Sequence, residues 1–332
     1  ERTGLKKVLN KVFQIALPLV LGAAILLWTY HDFDFRRVWS VLDGGMNYGW
    51  MAFSLVFGVL GHLFRGWRWN LTLAPLGEYP KVSNSVYAVF VSYAANLVVP
   101  RGGGFPLRYP VEDDGVSFSK SLGTVVTERL IDTICVLLIT VVTLLLQSRV
   151  FAAFFEKTGT NMGFFTGLFT STNFYITLSV CLLGRAGVFP DSQFDGICEG
   201  ARHIERCVGR MFVASACKTS VAVRFLHREH MGMHFLQFYV SFYCFDFSAS
   251  LGWMPGLVMF VVGSIAVAVP TPNGAGPWHF AVITMMMMYG VGKEDAGIFA
   301  LLVHGIQTFL LILLGVYGLV ALPLVNKKRT GK

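Results

Sequence analysis

The sequence predicts an all-α membrane protein, a polytopic bundle of helices that forms one integral membrane domain over residues 1–332. Hydrophobic residues make up 54% of the chain and charged residues only 14%, whereas soluble domains carry about 25% charged residues. The mean hydropathy is +0.59. Apolar runs recur at lengths suited to the roughly 30 Å hydrocarbon core of a bilayer. Together these features predict about eight spans.

Basic residues, which give the chain a net charge of +8, gather in separate clusters and not on one continuous face. One cluster precedes the first apolar run, one lies between residues 185 and 228, and one follows the last run. Basic loops beside apolar spans are typical of the cytoplasmic side of a membrane. We therefore expect a multi-pass protein of the plasma (inner) membrane with both termini in the cytoplasm, and no nucleic acid as a partner.

The apolar segments divide into two halves, residues 1–147 and 163–325, joined through a polar stretch. Hydropathy is lost over residues 184–234, which predicts a cytoplasmic connector. A short amphipathic segment at residues 32–43 is expected to lie in the membrane interface. The predicted spans and part-spans are residues 12–30, 50–64, 82–99, 116–147, 164–183, 235–251, 254–269, 278–289 and 296–325.

The second span ends at the sequence Arg65-Gly66-Trp67-Arg68-Trp69. Arginine and tryptophan at the end of a span favour anchoring at the headgroups, with the arginine side chains snorkelling to the interface. The alternative is that Arg65 and Arg68, three residues apart on one helix face, hold a phosphate group.

The third apolar segment is interrupted by the sequence Pro100-Arg101-Gly102-Gly103-Gly104-Phe105-Pro106. Backbone groups freed by such a break are tolerated at membrane depth only where protein or a watery cavity satisfies them. If residues 82–115 cross the membrane, the later basic loops fall outside; if they enter and return on one side, those loops stay cytoplasmic. The positive-inside bias therefore favours a re-entrant segment.

A second break, residues 270–277 (Pro-Thr-Pro-Asn-Gly-Ala-Gly-Pro), follows an apolar run that also ends in Val-Pro. Pro/Gly breaks at corresponding positions of two halves indicate a transporter-like site built from broken helices. The two breaks therefore predict a second re-entrant segment and an inverted repeat. Chance occurrence is the alternative, since Pro and Gly are common in membrane helices.

Ionisable residues inside apolar runs are costly and usually face a bundle interior or a polar pathway. Glu128 and Asp132, at i and i+4, share a helix face from which Arg129 points away. Their role is either an ion-pair network or direct binding of a headgroup or proton. Asp246 and His279 are further polar candidates in the second half.

Neither a cofactor nor a metal is expected. The six cysteines form no C-x-x-C pair, and the glycine run after Arg101 is not followed by Gly-Lys-Ser/Thr. His227, His230 and His234 could form one metal-binding helical face, but Glu229 lies off that face. No nucleophile–base pair is evident, so no catalytic residue is expected.

Three separated motifs resemble the lysylphosphatidylglycerol synthase transmembrane-region family, the flippase-like part of the multiple peptide resistance factor. They are the Arg65–Trp69 sequence, the run from Asn96 through Pro100-Arg101-Gly102-Gly103 and Arg108 to Thr127-Glu128-Arg129-Leu130-Ile131-Asp132, and the second break. The resemblance implies an inner-membrane protein that moves lipids or lipid-linked molecules between leaflets. The partners expected from it are membrane lipids with anionic or aminoacylated headgroups, and either a second copy of the chain or a synthase.

A lipid translocator is accordingly the leading hypothesis, and the chain is not expected to be an enzyme. The alternatives are a membrane-embedded lipid-modifying enzyme and an accessory subunit of a lipid or glycan synthase. The candidate substrate-binding residues are Arg65, Arg68, Asn96, Arg101, Arg108, Glu128, Arg129, Asp132, Asp246, Asn273, Gly274, Gly276 and His279.

Overall fold

A computed structural model describes residues 2–98, 114–148, 150 and 218–326, and this part of the chain is helical without strands. The chain divides into two compact units, Glu1–Val141 with Ala214–Lys332, and Val142–Val213. Apart from the last turns of one helix, the described elements belong to the first unit. Its helices are α1 (Arg2–Thr29), α2 (Phe35–Ser40), α3 (Tyr48–Leu73), α4 (Val82–Val98), α5 (Phe118–Leu146), α6 (Lys218–Val240), α7 (Asp246–Ala249), α8 (Trp253–Ala266), α9 (Pro277–Met288) and α10 (Lys293–Asn326).

Helices α3 and α6 pack antiparallel along much of their length because small residues let their backbones approach. A Cβ atom at Gly58 would lie 2.5 Å from Gln237 Nε2, and one at Gly61 would lie 3.1 Å from His234 Cε1. Residues 218–234, the last part of the predicted connector, form most of α6 and pack against α3; the cytoplasmic position of the connector stays a prediction. Hydropathy missed this helix because the residues that it buries against α3 are polar.

The two ends of the α3 helix define two ends of the helix bundle. At the Tyr48 end, Asn47 N donates to Cys244 O at 2.8 Å. At the Leu73 end the chain turns through a 3-10 segment, Ala74–Leu76, into α4, which runs back along α3. Lys120, near the start of α5, lies at this end too, 2.7 Å from Glu78.

The segment from residue 82 to residue 114 begins and ends at the Leu73 end. Asp114 Oδ2 accepts hydrogen bonds from Lys81 N at 3.2 Å and from Asn84 Nδ2 at 2.8 Å. Asp114 therefore lies beside the first residues of α4. Helix α4 runs away from the Leu73 end, and by residue 114 the chain has returned to it. The first break, residues 100–106, falls outside the described residues.

The segment from residue 253 to residue 289 begins and ends at the opposite, Tyr48 end. Helix α8 starts beside Tyr239 at the end of α6, and α9 returns antiparallel to α8, with Gly263 against Trp278. Helix α10 then begins next to the end of α1, where Tyr30 OH donates to Gly297 O at 3.2 Å.

Helix α10, 34 residues long, runs from the Tyr48 end to the Leu73 end and packs on α4. Gly315 faces Ala94 so closely that a Cβ atom would overlap it, and Asn326 Nδ2 donates to Asn84 Oδ1 at 3.1 Å. The close contact explains why α4 and α10 are antiparallel neighbours although more than 200 residues separate them in sequence.

Two helices of the described part are long and apolar enough to cross a membrane, Lys120–Leu146 and Lys293–Asn326, and Ala16–Thr29 and Trp253–Ala266 are shorter apolar helices. Large apolar side chains point outward on α10, where Leu313, Val316 and Val320 are at least half exposed. An apolar outer surface of this kind suits lipid better than water. The count of about eight spans stays a prediction, and the span predicted at 164–183 lies outside the described residues.

Two predicted boundaries are wrong. The second helix does not end near residue 64 but continues through Arg65 and Arg68 to Leu73. The apolar run at residues 235–251 is not one span, because α6 ends at Val240 and a 3-10 turn and α7 follow. Ser248 stabilises this bend, since its hydroxyl donates to Phe242 O at 2.7 Å and so satisfies a carbonyl released by the helix.

Candidate functional site

A buried cluster of charged side chains joins α3 to α5. Arg68 Nη1 donates to Asp132 Oδ1 at 3.0 Å, and Arg65 Nη2 donates to Asp132 Oδ2 at 3.4 Å. Arg68 Nε also lies 3.3 Å from Glu128 Oε1. Arg65, Arg68 and Glu128 are only 6%, 2% and 5% exposed. We call these four residues the ion-pair cluster.

The spacing of the charges along the two helices explains why they meet. Arg65 and Arg68 are three residues apart on α3, and Glu128 and Asp132 are four apart on α5, so each pair shares one helix face. Buried charges are tolerated only when opposite charges and hydrogen bonds compensate for the lost water. The cluster holds two cations and two anions, so its charges balance, and Asp132 supplies the hydrogen bonds; Arg68 Nε and Glu128 Oε1 face each other without a hydrogen bond among the described residues.

The position of the arginines corrects the favoured interpretation of the Arg65–Trp69 sequence. Neither Arg65 nor Arg68 snorkels to an interface, because both are buried in the middle of the helix packing. Trp69 is buried as well, with its Nε1 donating to Thr124 Oγ1 at 3.0 Å. Nor are the two arginines free cations, because Glu128 and Asp132 already occupy them.

Side chains from α4 and α6 complete the surroundings of the cluster. Tyr93 OH accepts a hydrogen bond from Arg65 Nη1, and His227 Nδ1 contacts Arg68 Nη1 and lies 3.4 Å from Asp132 Oδ1. His227 Nε2 lies 3.1 Å from Cys135 Sγ. Sequence reasoning missed Tyr93 and missed this role of His227, since neither residue carries a charge pattern that reveals its partner.

Arg129 and Asn96 lie at the α4 side of the cluster. The Arg129 guanidinium carbon is 5.9 Å from the centroid of the Tyr93 ring, and the Arg129 side chain is exposed. Asn96, three residues after Tyr93, has a buried Oδ1 without a hydrogen-bond partner in the described part of the chain. The structure thus brings six of the predicted site residues to one region.

Three histidine rings follow the cluster along the α3–α6 interface. The ring centroids of His230 and His234 are 4.6 Å apart, and those of His62 and His234 are 5.1 Å apart. His230 Nδ1 lies 3.1 Å from Gly61 O. Among the residues that the structure describes, no group of three or more His, Cys, Asp or Glu side chains is arranged to hold a metal ion.

The second break forms a separate polar region beside the middle of α10. Asn273 Nδ2 donates to Thr308 Oγ1 at 2.8 Å, and His304 Nε2 lies 3.1 Å from Asn273 O. Thr308 stands near the midpoint of the 34-residue α10, about 22 Å from its start at 1.5 Å per residue. The break therefore lies deep between the two ends of the bundle.

The backbone of the break requires glycine at the predicted positions. Asn273, Gly274 and Gly276 have φ values of 51°, 72° and 93°, a region that L-residues other than Asn and Asp rarely adopt. Helix α1 also approaches closely, since a Cβ atom at Gly276 would lie 2.8 Å from Gly22 O. These residues shape the turn and its packing through the backbone.

Helix α9 starts directly after the break, and His279 lies in its first turn. His279 is 2% exposed, and its Nδ1 accepts a hydrogen bond from Gly276 N at 3.4 Å. Its ring packs against the rings of His304 and Tyr30, with centroids 4.5 Å and 5.8 Å away. In the same region, Thr271 Oγ1 is buried and has no hydrogen-bond partner among the described residues.

The remaining predicted site residues lie elsewhere. Asp246 is exposed at the start of α7, at the Tyr48 end. Arg65 lies 17 residues after Tyr48 on α3, about 25 Å from that end at 1.5 Å per residue. The structure therefore does not bring Asp246 to the cluster. Arg101 and Arg108 fall outside the described residues.

Comparison with known protein families gives one match for this chain. A family model described as the lysylphosphatidylglycerol synthase TM region matches residues 15–315. Comparison with curated proteins gave no match, and neither did comparison with solved structures. The matched range contains both the ion-pair cluster and the second break.

Proposed function

The chain belongs to the lysylphosphatidylglycerol synthase TM-region family, and on that basis we propose that it is a lipid translocator. It moves the headgroup of a phospholipid or glycolipid between the two leaflets while the acyl tails remain in the bilayer. The family membership supports a lipid-related role in a membrane. The fold supports the more specific step of translocation, through the arrangement of its two broken segments.

One observation carries the proposal: the two segments that contain the breaks start from opposite ends of the bundle. Residues 82–114 begin and end at the Leu73 end, and residues 253–289 begin and end at the Tyr48 end. The flanking helices follow the same inversion, since α3 runs from the Tyr48 end to the Leu73 end and α6 runs back. Inverted pairs of broken helices are the architecture on which alternating access is built in many transporters.

The end of α4 and the second break lie at a similar depth in the bundle. Helix α4 ends at Val98, one turn beyond its contact with Gly315 of α10, and the turn at residues 272–274 contacts α4 and reaches Thr308. Broken helices at this depth offer polar backbone groups to a headgroup, and the first turn of α9 offers the positive end of a helix dipole. A polar headgroup needs such groups to pass through hydrocarbon.

The ion-pair cluster has an organising role in this mechanism. It fixes α5, which follows the first break, to α3 and to Tyr93 of α4, so that the re-entrant segment is held at both ends. We place the protein in the plasma membrane with cytoplasmic termini, because the positive-inside bias then agrees with the directions of the helices.

The test is a leaflet-resolved scrambling assay with the purified chain in liposomes that contain fluorescent anionic, zwitterionic or lysyl-lipids. The Thr308→Val substitution removes the hydroxyl to which the Asn273 side chain donates. It leaves the volume of the side chain at position 308 nearly unchanged. Thr284→Val is the matched control, because the Thr284 hydroxyl donates within α9, to Phe280 O at 2.7 Å. We expect loss of leaflet protection with the wild-type protein and with Thr284→Val, and slower loss with Thr308→Val.

The proposal fails if folded wild-type protein moves no lipid of any class. That result would favour a lipid-modifying enzyme or an accessory subunit of a synthase. Equal rates in Thr308→Val and Thr284→Val would leave translocation standing but would remove the second break from the pathway.

A further inference from the structure

The charges around the cluster do not all cancel. Arg65 and Arg68 face Glu128 and Asp132 at 3.0–3.4 Å, which pairs two cations with two anions. Arg129 is adjacent in sequence to Glu128 but points to another side of α5. Within the residues that the structure describes, Arg129 has no carboxylate within ion-pair distance. It is a third cation beside a cluster that is already neutral.

Tyr93 stands between this third cation and the cluster. The guanidinium carbon of Arg65 is 5.3 Å from the centroid of its ring, and that of Arg129 is 5.9 Å away. Because the Tyr93 oxygen accepts a hydrogen bond from Arg65, its hydroxyl proton is directed elsewhere. Two guanidinium groups and a hydroxyl donor around one ring create a positive, donor-rich environment that suits an anion.

The depth of Arg129 makes an unpaired cation expensive. Arg129 lies 11 residues after the start of α5, about 17 Å along the helix axis, whereas Lys120 at the start is paired with Glu78. A cation this far from the helix end is beyond ordinary snorkelling to the interface. Intramembrane cations without a protein partner mark substrate or ion pathways.

Asn96 adds a second requirement to the ligand. It lies one turn beyond Tyr93 on the same face of α4, and its Oδ1 is buried without a donor in the described structure. A buried acceptor without a donor is costly, and a ligand that supplies a hydroxyl or ammonium group removes that cost. The anion that fits both requirements carries a phosphate and, close to it, a hydrogen-bond donor.

We propose that Arg129, Tyr93 and Asn96 form a binding position for the headgroup of a glycerophospholipid, on the side of the bundle between α4 and α5. Arg129 binds the phosphate through its planar fork of N–H donors, Tyr93 donates to a phosphate oxygen, and Asn96 accepts from a headgroup hydroxyl or ammonium group. This inference rests on the proposed function and names the chemistry of its substrate. It also transfers the phosphate contact from Arg65 and Arg68, which are occupied, to Arg129.

The experiment measures lipid binding directly, by native mass spectrometry of the purified full chain after delipidation. The probes are phosphatidylglycerol, phosphatidylcholine, which has a phosphate but no headgroup donor, and uncharged diacylglycerol. Arg129→Gln is compared with Arg36→Gln, an exposed arginine on α2 at the Tyr48 end. Because Arg129 is exposed, the variant should keep the wild-type melting temperature in detergent, and this is checked first.

We expect Arg129→Gln to bind phosphatidylglycerol about tenfold more weakly, which is the size of effect that loss of one charge-assisted contact produces. Arg36→Gln should bind it like wild type, and diacylglycerol should show no difference among the three proteins. Arg129→Lys should fall between wild type and Arg129→Gln, since lysine keeps the charge but not the bidentate fork. Asn96→Ala should reduce the preference for phosphatidylglycerol over phosphatidylcholine.

Two results would overturn the inference. Unchanged phosphatidylglycerol binding in Arg129→Gln would show that Arg129 does not hold the headgroup. Displacement of the lipid by millimolar inorganic phosphate would show that the site takes free phosphate. Binding that depends on Arg129 in a chain that scrambles no lipid would remove only the proposed function, whereas scrambling with Arg129-independent binding would remove only this inference.

Discussion

The ion-pair cluster and the second break both keep polar groups deep in an apolar bundle, but they do so by different means. In the cluster, charged side chains on α3 and α5 bind one another, and the nearest pairs are 3.0–3.4 Å apart. In the break, the backbone turns away from the helical path, His304 Nε2 lies 3.1 Å from the backbone oxygen of Asn273, and the Asn273 side chain donates to Thr308 Oγ1. One region depends on charge balance and the other on backbone shape.

The two regions therefore have different roles: the cluster holds helices together, and the break shapes the space between them. The four charged groups of the cluster bind one another, so the cluster fixes helices, and the ligand position that we propose uses the neighbouring Arg129, Tyr93 and Asn96. The break is uncharged in its described residues and depends on glycines that admit α1 and an unusual backbone. Removing a charge should therefore damage the first region most, and adding a methyl group should damage the second.

The largest effect is expected for Asp132→Asn, which removes one anion from the cluster and leaves two buried arginines with a single carboxylate. Breaking a buried ion pair from one side costs roughly 3 to 5 kcal/mol in free energy of unfolding. SDS titration of the purified protein in mixed micelles measures this free energy. The control is Asp295→Asn, because Asp295 pairs with Arg37 at 2.7 Å near the surface.

Loss of that exposed pair should cost roughly 0 to 1 kcal/mol. Similar small losses in the two variants would contradict the view that the cluster holds α5 in place. They would show instead that water or lipid headgroups compensate the arginines as readily as Asp132 does.

The next largest effect is expected for Gly276→Ala. The new methyl group would lie 2.8 Å from Gly22 O in a residue whose φ is 93°, so steric overlap adds to backbone strain and the cost should be roughly 2 to 4 kcal/mol. Gly290→Ala is a matched control, since Gly290 has φ of 90° but open space around it. It should cost only about 1 kcal/mol from backbone strain. Equal melting temperatures for the two variants would show that α1 does not press on the break.

A smaller effect is expected where α10 meets α4. Gly315→Ala places a methyl group against the Cβ of Ala94, and overpacking of this kind costs roughly 1 to 3 kcal/mol. Gly305→Ala, on the same helix with open space around it, should stabilise the protein by roughly 0.5 to 1 kcal/mol, because alanine is the better helix former. Thermal unfolding in detergent distinguishes opposite shifts of the two melting temperatures, and shifts of the same sign would contradict the close α4–α10 contact.

Much of the helical organisation could be predicted from the sequence because hydropathy and Pro/Gly breaks are local signals. The positions of α4, α5, α8, α9 and α10 agree with predicted segments to within a few residues. The presence of the second break could also be predicted, since proline interrupts a helix and glycine is favoured in turns. Its positive φ values could not, because glycine adopts negative φ values as readily.

What could not be predicted depends on contacts between distant parts of the chain. Arg65 and Arg68 have the composition of an interfacial anchor, and only the presence of Glu128 and Asp132 on a neighbouring helix makes them a buried pair. Residues 218–234 have low hydropathy because their buried face carries imidazole groups, which find partners on α3 and α5. A window of sequence contains no information on such partners.

The smallest effect is expected for the ion pair between Glu78 and Lys120 at the Leu73 end. It tests how much a pair near the surface contributes to the free energy of unfolding. The hydrogen bond from Lys120 Nζ, 2.7 Å from Glu78 Oε1, lowers the pKa of the Glu78 carboxyl. A carboxyl whose pKa is lower in the folded state than in the unfolded state stabilises the fold above its unfolded pKa, about 4.3. That stabilisation is lost as the pH falls through the lower, folded value. The free energy of unfolding of Glu78→Gln should therefore be slightly lower than that of wild type near pH 7, by less than about 1 kcal/mol. The difference should vanish once the pH falls below the folded pKa of Glu78. A difference that persists in acid would assign the contribution of Glu78 to packing and not to its charge.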